Sequence, residues 1–295
     1  MQKACKEGRK DLVDLMILNN ESNYNQGIIG ACEGGQIELV ELMLSVGATD
    51  FNRGLYGACK GGHDSIIKMM IDLGAKNYDL GLRGACEGGH LNIIKMMLYL
   101  GATDYNLGLY YACKGGHNAV VKMMLSLGAK NYNWGLMGAC EGGHLDLVKI
   151  LLELGADHYN SGLAGACNGG HIEIVKMMLE LGADNYKLGL EGACIGGHIS
   201  IVKMMIQLGA NDYNKGLEGA CEGGHLEIIK MMIELGADNY NYLLKGNLEC
   251  KTLYERLTKE VIDLPIKKEH PEYHLLKVYR KKIPDIDRLI NKYLF

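Results

Sequence analysis

Long apolar runs are missing from this sequence. No run reaches the roughly 18 residues that a membrane-spanning helix needs, and Met1-Gln2-Lys3-Ala4-Cys5 does not open a signal-peptide pattern. We therefore expect an intracellular protein that is neither secreted nor inserted in a membrane.

An excess of basic residues is missing as well. The formal net charge is -4, and residues 1–244 hold 19 Lys and Arg against 27 Asp and Glu, whereas residues 245–295 hold 12 against 8. An acidic surface repels the phosphates of nucleic acids. We therefore expect no nucleic-acid partner.

Proline and the large aromatic residues are scarce, but glycine is not. The 295 residues include 3 Pro, 2 Phe and 1 Trp against 41 Gly, and most of the glycines recur at fixed places. Periodic glycine of this kind is typical of a structural repeat and not of a low-complexity segment.

The cysteines set the period, because nine of them are spaced 27 residues apart without an insertion. They are Cys5, Cys32, Cys59, Cys86, Cys113, Cys140, Cys167, Cys194 and Cys221. A unit this short cannot bury a core alone, so neighbouring copies must stack into a solenoid. We predict about nine repeats over residues 1–244 and a C-terminal tail of capping helices over residues 245–295.

The cysteine column does not predict disulfides. Equivalent positions of stacked helices lie roughly 8–10 Å apart, which exceeds the ~7 Å limit between the Cα atoms of a disulfide. We expect reduced, buried thiols that fill space in the core.

One repeat contains two short helices. The second is predicted from about His90 to Leu100, with Gly101 at its end, an exposed stripe of Asn92, Lys95 and Tyr99, and its other large residues in the core. Met-Met pairs occur in six copies, from Met69-Met70 to Met231-Met232. Their thioether sulfurs could form an adaptable binding surface or bind copper. Their helical phase beside Ile and Leu instead favours side chains that fill the core.

The first helix is predicted from about Leu80 to Gly88, with Asp79 as its N-cap. Equivalent caps are expected at Asn25, Asn52, Asn106, Asn133, Asn160, Asn214 and Asn241, with Lys187 as the exception. Gly81, Gly84 and Gly88 share one edge, so we expect a close approach of adjacent repeats there. Tyr111 replaces the middle glycine of one copy and should widen that junction or point outward.

The segment from Gly223 to Asp238 resembles the second helix and exit turn of an ankyrin repeat. The unit is about six residues shorter than the ~33 of an ordinary ankyrin repeat, so the β-turn finger should be reduced or absent. The resemblance implies an all-α, ankyrin-like helical-repeat solenoid that acts as a protein-interaction scaffold. The short unit also resembles ankyrin repeat proteins of mimivirus-type giant DNA viruses, for which the location would be the host cytoplasm.

Several motifs resemble metal, phosphate or catalytic sites, but their patterns do not meet the requirements of such sites. The recurrent Cys-x3-His pair, such as Cys59 and His63, occurs once per level, whereas a structural zinc site needs four converging ligands. No strand precedes the glycine-rich runs and no Gly-Lys-Ser/Thr follows them, as a phosphate loop would require. No isolated polar constellation is present. We therefore expect no enzymatic activity, no cofactor and no metal, and we rank an enzyme or a metal store last.

One stripe of the first helix changes from copy to copy, and it is the candidate partner-binding site. We call its central part the first-helix stripe: Arg53, Tyr56, Lys60, Leu80, Arg83, Leu107, Tyr110, Lys114, Trp134, Met137 and Glu141. Either these exposed positions vary without any functional constraint, or they form a binding hot spot, for which aromatic and arginine side chains are typical. The ankyrin resemblance implies that the first helix lines the concave face. We expect an unknown protein partner and a monomeric chain.

The tail offers an alternative function. Residues 283–294 faintly resemble the opening of an F-box, which would make the protein a substrate adaptor for a ubiquitin ligase. The other interpretation of the tail is a plain capping bundle, with helices ending before Pro265 and spanning about residues 272–281 and 285–293.

Overall fold

The structure, a computed structural model of the full chain, describes residues 1–20, 22–239 and 241–245. These residues form nineteen helices and no strand. The chain divides into two compact units, Met1–His158 and Tyr159–Phe295. Each described unit repeats a pair of short helices, as the 27-residue period predicts.

In the first unit the helices are α1 (Gln2–Lys6), α2 (Lys10–Leu18), α3 (Tyr24–Glu33), α4 (Ile37–Ser45), α5 (Phe51–Gly61), α6 (Asp64–Asp72), α7 (Tyr78–Gly88), α8 (Leu91–Tyr99), α9 (Tyr105–Gly115), α10 (Asn118–Ser126), α11 (Tyr132–Gly142) and α12 (Leu145–Glu153). In the second unit they are α13 (Tyr159–Gly169), α14 (Ile172–Glu180), α15 (Tyr186–Gly196), α16 (Ile199–Gln207), α17 (Tyr213–Gly223), α18 (Leu226–Leu235) and α19 (Asn241–Lys245). Odd numbers mark the first helix of each repeat.

The second helices have the predicted exposed stripe, but their buried face is narrower than predicted. Ile93, Ile94 and Met97 are buried, whereas Met96, Leu98 and Leu100 are half-buried. In α8, Asn92 and Lys95 are exposed and Tyr99 is 91% exposed, while Gly101 after the helix adopts a left-handed φ of 109°. Only the second methionine of each Met-Met pair is fully buried, and the first is half-buried. The two methionines of a pair cannot both face the core, because adjacent residues lie about 100° apart around a helix.

The glycine edge is a surface of close contact, as predicted. A Cβ atom added at Gly84 would lie 2.3 Å from the carbonyl oxygen of Tyr56, and one at Gly88 would lie 2.2 Å from that of Lys60. Both oxygens belong to the preceding first helix. Gly81 differs, because its closest neighbour is Met97 Sδ in the second helix of its own repeat, at 2.5 Å. The absence of a side chain at these glycines therefore leaves space for the backbone of the preceding first helix and for a methionine in the core.

The predicted N-caps are wrong by two residues. Helix α7 begins at Tyr78, and its cap is Asn77, whose side chain accepts a hydrogen bond from the backbone of Leu80. Asp79 lies inside the helix, and its Oδ1 accepts from the backbone N–H groups of Thr103 and Asp104, at 2.7 and 2.9 Å.

The same bonds recur along the chain and join each connection to the helix of the repeat before it. The acceptors are Asn25, Asn52, Asp79, Asn106 and Asn133 in the first unit and Asn160 and Asn214 in the second. The described residues contain no strand and therefore no β-turn finger. These side chains instead hold each short connection against the first helix that precedes it, through hydrogen bonds to its backbone.

Lys187 interrupts this column, so replacing it with asparagine should stabilise the second unit. A lysine ammonium has no acceptor, whereas an asparagine at this position could accept from the backbone of Asn211 and Asp212 as its counterparts do. We expect Lys187→Asn to raise the free energy of unfolding by about 1 kcal/mol, measured by urea denaturation. Lys176→Asn, on the exposed face of α14, is the control and should give no gain. An unchanged midpoint for Lys187→Asn would contradict the role assigned to this column.

The cysteine and histidine columns have the predicted packing roles. All nine repeat cysteines are buried thiols outside any disulfide, and burial raises the pKa of Cys86 to about 12. The histidine ring reaches the preceding repeat, as in His90, whose Nε2 donates to the carbonyl oxygen of Lys60 at 3.0 Å. This bond closes the Gly-Gly turn against its neighbour and accounts for the histidine without a metal.

The predicted tail lies outside the described residues from residue 246 onward. The capping helices, the F-box resemblance over residues 283–294 and the boundary between residues 244 and 245 therefore stay predictions.

Candidate functional site

The first-helix stripe lies on α5, α7, α9 and α11, all within the first unit. Arg53 and Trp134 are exposed, and the other nine residues are half-buried. The structure brings several of them together in two clusters. One contains Tyr56, Lys60 and Arg83, and the other contains Tyr110, Lys114 and Glu141.

A column of alternating charge shares three residues with the stripe. Lysine and glutamate alternate every 27 residues at Lys6, Glu33, Lys60, Glu87, Lys114 and Glu141. Glu33 Oε1 lies 2.9 Å from Lys6 Nζ and 3.3 Å from Lys60 Nζ, and Lys60 Nζ lies 2.9 Å from Glu87 Oε1. Lys114 Nζ lies 2.7 Å from Glu141 Oε1. We call these six residues the charge ladder.

The ladder also fixes two tyrosines of the stripe. The hydroxyl of Tyr56 donates to Glu87 Oε2 at 2.5 Å, and that of Tyr110 donates to Glu141. Burial and the hydrogen bond to Glu87 raise the pKa of Tyr56 to about 12, and burial and Glu141 raise the pKa of Tyr110. Each phenol therefore stays neutral and holds its ring in one orientation.

Arg83 lies between two aromatic rings. Its Cζ atom is 4.9 Å from the ring centroid of Tyr56 and 4.2 Å from that of Tyr111. Tyr111 also packs edge-on against Tyr110, with 4.7 Å between centroids. Guanidinium–ring contacts at these distances are favourable and restrict the arginine side chain. Tyr111, which replaces a glycine, thus supplies a wall for Arg83.

A pocket of about 320 Å³ opens beside these side chains. Its lining consists of Gln2, Ile29, Arg53, Tyr56, Leu80 and Arg83. The pocket combines two guanidinium groups with apolar and aromatic walls. An arrangement of this kind suits a ligand with one anionic group and an apolar stem.

The sequence prediction missed part of this arrangement. The stripe includes Lys60, Lys114 and Glu141 as partner contacts, yet the ladder pairs all three within the chain. It omits Lys6, Glu33 and Glu87, which complete the ladder. The alternation of Lys and Glu at spacing 27 is visible in the sequence and could have indicated these pairs, because equivalent residues of stacked repeats are neighbours.

Protonation of Glu33 should weaken the fold, which gives a pH test of the ladder. Burial by itself raises the pKa of Glu33, but the hydrogen bond from Lys6 and the charge of Lys60 outweigh it, so the pKa lies below its usual value. A lowered pKa means that the carboxylate stabilises the fold at higher pH and loses that effect as the pH falls through the folded-state pKa.

We therefore expect Glu33→Gln to cost about 1 kcal/mol of unfolding free energy at pH 7, and we expect that difference to narrow as the pH falls below about 4. Urea denaturation across this pH range measures it. Glu38→Gln, at an exposed position of α4, serves as the control. A difference between Glu33→Gln and the wild type that does not change with pH would count against the ladder.

The described part of the chain has neither a membrane-spanning helix nor a cluster of metal ligands. No helix in it combines the length and the apolarity that crossing a membrane requires. No group of three or more His, Cys, Asp or Glu side chains there is arranged to hold a metal ion.

Comparison with protein families identifies ankyrin repeats in part of the chain. The family model described as Ankyrin repeats (3 copies) matches residues 82–162, 109–188 and 136–215. No curated protein matches the chain. The matched residues span α8 to α16 in full, and their alternation of first and second helices is the same as in the described residues on either side. Residues 82–215 therefore carry ankyrin repeats, and the described helices of the chain have the all-α packing of an ankyrin-like helical-repeat solenoid.

Proposed function

We propose that this protein is a non-enzymatic interaction scaffold that binds a protein partner along the first-helix stripe of its first unit. Ankyrin repeats generally serve as protein-interaction modules. The observation that carries the proposal is Trp134, the single tryptophan of the chain, whose surface is 48% exposed on α11. Tryptophan is among the residues most enriched at binding hot spots.

The surroundings of Trp134 support the same proposal. Leu107 and Met137 are half-buried on the same phase of α9 and α11, and each leaves apolar surface in contact with water. The charge ladder and the Tyr56 and Tyr110 hydrogen bonds hold the neighbouring side chains in place. A surface ordered before binding loses less conformational entropy when a partner docks.

The compartment is part of the proposal. Nine buried cysteine thiols outside any disulfide suit a reducing environment, so we place the binding event inside a cell. If the 27-residue unit is of giant-virus type, as its sequence resembles, that cell is the host.

Capture of a partner by the immobilised full chain tests the proposal. We compare the wild type with a triple variant, Arg83→Glu, Tyr110→Ala and Trp134→Ala, and with the control Tyr99→Ala, which changes a 91% exposed aromatic residue on the second helix of a repeat. We expect a protein captured by the wild type and by Tyr99→Ala to be lost from the triple variant. Retention of every captured protein by a folded triple variant would show that the partner docks elsewhere.

A further inference from the structure

The pocket beside Arg83 points to the chemistry of the partner. We propose that it receives the carboxylate of a single Asp or Glu side chain from an extended acidic segment of the partner, held by Arg83 with help from Arg53. The inference rests on the proposed function, since it identifies what the stripe recognises at one position.

Two lysines of the stripe already have carboxylate partners, whereas Arg83 has none among the described residues and Arg53 has only a solvent-exposed ion pair. Lys60 and Lys114 are paired with glutamates of the ladder at 2.9 and 2.7 Å. Arg83 has no carboxylate partner within the described residues, and its Nε atom is buried without a hydrogen bond. Arg53 has an ion pair only with Asp50, at 3.5 Å, and its side chain is 54% exposed. The available positive charge of the pocket is therefore mainly that of Arg83, with a smaller share from Arg53, which Asp50 partly neutralises.

The Nε–H group of Arg83 is a buried donor that lacks an acceptor. An N–H group removed from water without a partner is unfavourable, and here the two aromatic rings of Tyr56 and Tyr111 hold the guanidinium in that position. A carboxylate satisfies a guanidinium through two parallel N–H···O bonds. The Nε atom is closed off in the free chain, so a carboxylate in the pocket bonds the Nη atoms of Arg83, which are not buried, and Nε gains an acceptor only if the side chain shifts.

The size and the charge of the pocket limit which group of a partner fits it. The pocket of about 320 Å³ is walled by Ile29, Leu80 and the ring of Tyr56, and these suit the methylene stem of an acidic side chain or an apolar neighbour. Glu87 lies next to it, bonded to the Tyr56 hydroxyl. Its charge is compensated by Lys60 at 2.9 Å, so the two guanidinium groups set the sign of the pocket, and the unmodified side chains of a partner that carry a negative charge at neutral pH are the carboxylates of Asp and Glu. A lysine or arginine of a partner would meet two like charges.

The test is selection of random dodecapeptides displayed on phage against the immobilised full chain. Three targets are compared: the wild type, Arg83→Gln, and the control Arg9→Gln, which changes an arginine bonded to Asp11 in the first repeat. We expect the wild type and Arg9→Gln to enrich peptides with Asp or Glu at a fixed position, and Arg83→Gln to lose that preference. Matching circular dichroism spectra and melting temperatures establish that each variant is folded.

A second measurement changes the peptide and leaves the protein untouched. For a synthetic copy of an enriched peptide, exchange of the fixed Glu for Gln, or of the fixed Asp for Asn, should weaken binding to the wild type at least tenfold, but less than twofold to Arg83→Gln. Equal weakening on both targets, or none on either, overturns the carboxylate site.

The outcomes separate this inference from the proposed function. Enriched peptides that lose affinity for Trp134→Ala but have no fixed acidic residue would overturn the carboxylate site and leave the binding stripe intact. No enrichment on any target above the empty matrix would count against both proposals.

Discussion

Gly84→Ala should destabilise the protein by about 3 kcal/mol, although the same exchange in an ordinary helix interior stabilises it by roughly 0.5–1 kcal/mol. The reason is that a Cβ atom at position 84 would come too close to the backbone of α5. The new Cβ would lie 2.3 Å from the carbonyl oxygen of Tyr56 and 3.2 Å from the backbone nitrogen of Lys60. Neither atom belongs to a flexible side chain, so α5 and α7 would have to separate along their length.

Two other glycines supply graded controls for this prediction. At Gly108 the added Cβ meets Met124 Sδ at 2.6 Å, and a methionine can move to another rotamer. Gly108→Ala should therefore cost less than Gly84→Ala. At Gly74 no atom lies within 4 Å of the added Cβ, but φ is 106°, so Gly74→Ala should cost only about 1–2 kcal/mol of backbone strain. Urea denaturation gives all three values, and a Gly84→Ala variant as stable as the wild type would contradict the close helix contact.

Trp134→Ala should weaken partner binding by about 10- to 100-fold, which corresponds to about 1.4–2.7 kcal/mol at a hot spot. The indole is 48% exposed in the free chain, so its truncation removes contact area without opening a cavity in the core. The stability of the variant should stay within about 0.5 kcal/mol of the wild type, as is usual for surface substitutions.

The matched control for Trp134→Ala is Tyr99→Ala, at a 91% exposed aromatic residue of a second helix. It should leave the dissociation constant unchanged. Trp134→Phe should retain part of the affinity because it keeps an aromatic ring in place. Isothermal titration with the captured partner measures each value. If both alanine variants bind as the wild type does, the partner does not use the stripe.

The helices and their packing could be predicted from the sequence because one physical constraint repeats every 27 residues. Gly84 and Gly88 are unfavourable in an isolated helix, so their recurrence implied a neighbour that needs the space. The structure confirms that neighbour as the carbonyl oxygens of Tyr56 and Lys60.

The N-caps could not be assigned from residue type alone. Asn77 and Asp79 are both good capping residues and lie two positions apart, so the sequence does not tell which of them bonds its own helix. Asn77 caps α7, whereas Asp79 bonds the connection of the next repeat. This distinction depends on how the repeats stack, and local sequence preference does not contain it.

The candidate site was partly accessible from the sequence. Its position on the first helices followed from the variation between copies, but the pairing of Lys60 with Glu87 and the position of Arg83 between two tyrosines depend on contacts between repeats. Tyr111 was recognised as an exception to the glycine edge. Its role as a wall for Arg83 became visible only in three dimensions.

Site-specific photo-crosslinking tests the central claim, binding along the first-helix stripe, most directly. Benzoylphenylalanine replaces Trp134 in one full-length variant and Tyr99 in the other, and both are irradiated with the partner. The account predicts a covalent adduct with the partner from position 134 and none from position 99. Adducts from position 99 alone, or from neither position while the partner stays bound, would contradict it.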